Sequence, residues 1–115
     1  MSQFANEMRA FVASLRDNEV LIYFGCGEIG ARTTKKFGPP NWSVDNSPAI
    51  QGGSYGKLDD IRHPDTIKTV CDRAKVVICS VAEKEIKTQL LELGVAQPNI
   101  ITSPYVRSIC SGSLN

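Results

Sequence analysis

Histidine is nearly absent from this chain: His63 is the only one in 115 residues. One histidine set directly before Pro64 does not assemble a Ser-His-Asp relay, and its position points instead to the opening of a helix. The cysteines, Cys26, Cys71, Cys79 and Cys110, are few and widely separated, with no Cys-x-x-Cys. That argues against a zinc site, whose ligands come in short pairs, and predicts reduced thiols, Cys71 and Cys79 among them as small core residues. Charge of one sign is also missing. The formal net charge is +1, so no strong field draws nucleic acid or an anionic membrane. No run of about 18 apolar residues is present, which excludes a membrane-spanning helix on hydropathy grounds. Residues 1–7 lack the basic segment and apolar run of a secretory signal, and a cytoplasmic protein is expected. The Tyr-x-x-x-Lys pair of short-chain dehydrogenases is missing: no lysine stands four residues after Tyr23, Tyr55 or Tyr105. No two carboxylates have a compelling spacing for acid–base work. Catalysis by this chain alone is therefore not expected.

What is present starts at residue 20. Val20-Leu21-Ile22-Tyr23-Phe24 is a run of strand formers leading into Gly25-Cys26-Gly27-Glu28-Ile29-Gly30, a Gly-x-Gly-x-x-Gly, and then into a helix-compatible segment. This order suits a βα turn that holds a nucleotide. Gly25 serves the sharp turn, Gly27 leaves room for a pyrophosphate, and Gly30 lets the helix pack close to the strand. The amides of the helix N-terminus then face the anion. Asp45, 20 residues after Gly25, closes the next strand, where an acid accepts from ribose hydroxyls and repels a 2′-phosphate. Cys26 lies where a helix N-terminus can lower a thiol pKa, although a tolerated small residue is the simpler account. Arg32, Lys35 and Lys36 read as a solvated face.

The rest of the chain alternates strand and helix. Phe4, Met8, Phe11, Val12 and Leu15 form a helical stripe over residues 2–16, with Ser2 as its N-cap. Strands are predicted at 20–24, 42–45, 75–80 and 100–102. Helices are predicted at 28–37, 64–74 and 83–93, the last stopped by Gly94. Residues 46–56 have loop composition, with Ile50 and Tyr55 as anchors. Tyr105, Val106 and Ile109 tuck against the body, and 111–115 fray. A length of 115 residues and 42% apolar content fit a single domain spanning 1–115.

The glycine segment, Val44-Asp45-Asn46-Ser47-Pro48, Gly56-Lys57-Leu58-Asp59-Asp60-Ile61, Val76-Val77-Ile78-Cys79-Ser80, the helix with Glu85, Ile86 and Leu90, Leu93-Gly94-Val95 and Ile100-Ile101 together show a likeness to a known family. Over about residues 19–102 the chain resembles the small Rossmann-like domain associated with bacterial polysaccharide and sugar-modifying enzymes. It is similar to domains fused to glycosyltransferases and methyltransferases, and to the N-terminal domains of nucleotide-sugar dehydratases and sugar acetyltransferases. The resemblance implies an α/β, Rossmann-like three-layer sandwich with a short parallel sheet of four or five strands. The N-terminal helix and the Gly52-Gly53-Ser54 loop are additions to that pattern. The implied nucleotide contacts are Gly25, Cys26, Gly27, Glu28, Ile29 and Asp45, and Gly30 of the same motif and Asn46 beside Asp45 complete the expected site. The implied ligand is NAD or a nucleotide-sugar, and the implied partner a carbohydrate-biosynthesis enzyme.

Two other functions are open to the same residues. Gly25-Cys26-Gly27 after a strand is similar to the first motif of S-adenosylmethionine methyltransferases, although Tyr23 stands where that family carries an acid. Alternatively, the domain has lost its ligand and serves in assembly. The stripe at 2–16 either covers the chain's own sheet or meets a second copy in a homodimer.

Overall fold

A computed structural model of the chain describes residues 2–47 and 60–110. The expected loop anchors Ile50 and Tyr55, and the tail 111–115, lie outside the described residues. The elements run α1 (Ser2–Ala13), β1 (Val20–Phe24), α2 (Glu28–Phe37), β2 (Trp42–Val44), β3 (Ile61–Arg62), a 3₁₀ helix (Pro64–Val70), β4 (Ala74–Ile78), α3 (Glu83–Glu92), a 3₁₀ turn (Gln97–Asn99), β5 (Ile100–Thr102) and α4 (Pro104–Cys110). The five strands form one all-parallel sheet in the order β3-β2-β1-β4-β5. The fold is α/β, with helices on both faces of the sheet.

Strand alternation sorts the core in two. Ile22, Phe24, Val44, Val76 and Ile78 point to one face, where Ile67 and Val70 of the 3₁₀ helix and Ile86 and Leu90 of α3 cover them. Leu21, Tyr23, Val77 and Cys79 point to the other, against Met8 and Phe11 of α1 and Ile29 and Phe37 of α2. Continuous apolar runs in β1 and β4 follow from this two-sided burial.

The helix α1 belongs to the chain's own core. Ala5, Met8 and Phe11 are buried, and Val12 and Leu15 pack against the same cluster. The Arg107 guanidinium of α4 lies 4.1 Å from the centre of the Phe4 ring and pairs with Glu7. The apolar surplus that suggested a homodimer is thus taken up within one chain, because α1 and α2 share a single sheet face.

Several elements differ from expectation: β2 stops at Val44 rather than 45, β4 spans Ala74–Ile78 rather than 75–80, and α3 ends at Glu92 rather than 93. α1 ends at Ala13 rather than 16, and Ser14 Oγ donates to the Phe11 carbonyl at 2.7 Å, a local bond that competes with helix continuation. The helix expected at 64–74 is a 3₁₀ helix ending at Val70, because Ala74 is drawn into the ladder opposite Val20. His63 opens it as expected, its Nδ1 accepting from the Asp65 amide at 3.0 Å. β3 is a two-residue edge strand beside Ser43 and Val44, too short to show a period. Residues 104–110 form a helix, with Val106 fully buried, where only a tucked tail was expected. Among the described residues no helix is long and apolar enough to cross a membrane.

Candidate functional site

β1 and β4 lie side by side at the centre of the sheet, and the chain leaves them toward opposite faces. β1 leads into α2 on one face and β4 into α3 on the other. In open parallel sheets this divergence leaves a crevice at the carboxyl ends of the strands, where small ligands bind. Here two adjoining hollows occupy it. One, of about 370 Å³, is lined by Gly25 through Ile29 together with Asp45, Cys79, Ser80 and Val81. The other, of about 450 Å³, lies toward α3 and adds Asn46, Glu85, Ile86 and Gln89. Both fall in the usual range for small-molecule sites.

Two backbone bonds hold the turn. The Gly25 amide donates to Val44 at 2.8 Å, and the Cys79 amide to Phe24 at 2.7 Å, carrying the ladders one step past the strands. Gly25 has φ +110°, and a Cβ there would sit 2.7 Å from the Cys79 carbonyl oxygen. Only glycine fits. Gly27 is different: a Cβ would meet nothing within 4 Å. It precedes α2 as its N-cap, and the first intrahelical bond runs from Ala31 to Gly27 at 3.1 Å. The amides of Glu28, Ile29 and Gly30 therefore come before the helical ladder and stand at the positive end of the helix dipole. α2 is held in place by Thr33, whose hydroxyl bridges the Ile29 carbonyl and the Ser103 hydroxyl, each at 2.7 Å.

Asp45 has a different first duty from the one its sequence position suggests. One carboxylate oxygen accepts from the Cys26 amide and the other from the Ser47 amide, both at 2.8 Å. The acid thereby fastens the end of β2 to the glycine turn. A ribose placed here must share an acceptor that is already employed.

Of the expected contacts, Gly25, Cys26, Gly27, Glu28, Ile29, Asp45 and Asn46 all line the crevice. Gly30 does not; it is buried inside α2, as close helix–strand packing requires. Glu28 is exposed at the rim and pairs with Arg32 at 2.8 Å. Lys35 and Lys36 are exposed and, like Arg32, line neither hollow, which fits a solvated face. Sequence reasoning missed Ser80, Glu85 and Gln89. The only signal for Ser80 was its place after the apolar run Val76-Val77-Ile78-Cys79, and α3 enters only once β4 is known to lie beside β1.

Cys26 and Cys79 are buried beneath the turn, where their thiols are held protonated. Burial, with the Asp45 charge adding to it, pushes Cys26 up to about 12, and burial pushes Cys79 up to about 12. The helix N-terminus does not win at Cys26 because desolvation of the thiolate dominates. Burial also raises the Tyr23 hydroxyl, which donates to the Gly38 carbonyl at 2.8 Å. These shifts fix a pH dependence. Below pH 9 both folded and unfolded chains keep the two thiol protons, and their contribution to stability is complete. Between about 9 and 12 only the unfolded chain releases them, so stability must fall, by up to about 1.4 kcal/mol per thiol per pH unit. Urea unfolding between pH 8 and 11 should show this decline, with a shallower slope in Cys79→Ala. A flat profile would mean that the thiols are not held neutral.

Compared with protein-family models, curated proteins and solved structures, the chain has no match in any of the three.

Proposed function

We propose that this chain is a nucleotide-binding module that holds NAD or another nucleotide at the carboxyl end of β1, without turning it over on its own. The observation that carries the proposal is the glycine turn at the point where β1 and β4 diverge. Open space at Gly27 and the unladdered amides of α2 form a place where a phosphate can approach backbone donors. Service to an enzyme of carbohydrate biosynthesis rests on the sequence resemblance over residues 19–102.

A second reading, S-adenosylmethionine, draws support from the charges of the crevice. Its described lining carries Glu28, Asp45 and Glu85 and no lysine or arginine, a balance that favours a cationic ligand over a diphosphate.

Thermal unfolding in the presence of NAD, NADP, UDP-sugars, coenzyme A and S-adenosylmethionine separates the two. A ligand that binds only the folded chain raises the midpoint, by an amount equivalent to about 2.7 kcal/mol at a hundredfold excess over its dissociation constant. NAD should raise it more than NADP. A rise with S-adenosylmethionine alone would favour the second reading. No rise with any of them would leave the fold without a ligand and favour a role in assembly.

A further inference from the structure

The α3 side of the crevice carries a pair of side chains that the fold does not require. Asn46 Nδ2 donates to Gln89 Oε1 at 3.0 Å, and Gln89 Nε2 donates back to Asn46 Oδ1 at 3.0 Å. Asn46 follows β2 and Gln89 lies on α3, so the pair spans the hollow that both residues line. The pair is solvent-exposed, and water can serve both amides in its place, so little net stability rests on it.

Each amide offers the other a donor and an acceptor side by side. A nucleobase edge offers the same. Two neighbours narrow the choice of base. Glu85 stands one helical turn before Gln89 and lines the same wall. An ionised carboxylate only accepts hydrogen bonds, so it favours an exocyclic amino group and opposes a carbonyl. Phe24 and Ile86, both buried, give the hollow an apolar floor suited to the face of a ring. Adenine meets these conditions: its N6 amino group donates, and N7 beside it accepts, the pattern that glutamine binds through two hydrogen bonds. Guanine and uracil place a carbonyl where adenine has the amino group.

We propose that the α3 wall reads the base of the bound nucleotide, with Gln89 exchanging Asn46 for the adenine edge, so that the module takes adenine nucleotides in preference to uridine or guanosine ones. This rests on the nucleotide binding proposed above. It groups NAD with S-adenosylmethionine, which share adenine, and sets both apart from uridine nucleotide-sugars. Asn46 acts as the stand-in that keeps the Gln89 amide oriented until the base arrives.

Calorimetric titration of the full chain with ADP, UDP, GDP and CDP tests it. ADP should bind at least about tenfold more tightly than UDP and GDP, with CDP, whose N4 amino group beside N3 presents the same donor and acceptor, weakened less than those two. Gln89→Ala should weaken ADP by about tenfold, the loss of one two-bond contact, while leaving UDP unchanged. A merely structural Gln89 would shift all four nucleotides together, and that result overturns the proposal. Equal affinity for ADP, UDP, GDP and CDP in the unsubstituted chain overturns the base reading while leaving nucleotide binding standing. Binding of none of the four removes both.

Discussion

Gly25→Ala is expected to destabilise the chain by about 3–5 kcal/mol, whereas Gly27→Ala should leave stability within about 1 kcal/mol of the original. The two glycines stand two residues apart in one motif, and their surroundings separate them. At Gly25 the backbone has φ +110°, and an added Cβ would lie 2.7 Å from the Cys79 carbonyl oxygen and 3.0 Å from its carbon. That obstacle is backbone, tied by the Cys79 amide to Phe24 at 2.7 Å, and it cannot swing aside like a flexible side chain. Strain at positive φ adds to the clash. At Gly27 φ is −83°, open to any residue, and the Cβ direction is empty. Guanidinium unfolding of both variants checks the contrast. A Gly25→Ala chain as stable as the original would mean that the turn is not as close to β4 as described.

The second large effect concerns α1. Met8→Glu/Phe11→Glu should abolish the folded state rather than release a folded monomer. Met8 is fully buried and Phe11 nearly so, on the sheet face shared with Tyr23, Val77 and Cys79. Truncating either side chain costs about 2–5 kcal/mol, and burying an unpaired carboxylate adds a further desolvation penalty. Together these approach or exceed the total stability of a domain of this size. Circular dichroism and light scattering distinguish the outcomes. Loss of helical signal places α1 in the chain's own core. A folded double variant with half the original mass would instead make α1 an interface.

Much of the architecture was legible because it rests on local patterns. β1 and α2 begin and end where the apolar run, the glycines and Gly38-Pro39-Pro40 predict, and β5 matches Ile100 through Thr102. What was missed depends on distant partners. β3 is a strand only because Ser43 and Val44 pair with it. α4 is held by Arg107 with Glu7, a contact 100 residues apart that no window of sequence contains, and buries Val106. The site shows the same division. The glycine turn is visible as a motif, and Asp45 is visible as an acid after a strand. That Asp45 holds the Cys26 amide, or that Gln89 reaches Asn46, appears only when β2, β1 and α3 meet at one end of the sheet.

Nucleotide binding at the glycine turn is tested most directly by calorimetric titration of NAD into the unsubstituted chain and into Gly27→Val. Valine at this position would extend into the open space where the proposed phosphate would approach the α2 amides, and the φ of −83° there lies outside the left-handed region. A saturable heat with the unsubstituted chain, and none with a Gly27→Val chain of unchanged thermal midpoint, is the predicted result. Equal binding by the two proteins would contradict it, and so would the absence of binding to the unsubstituted chain.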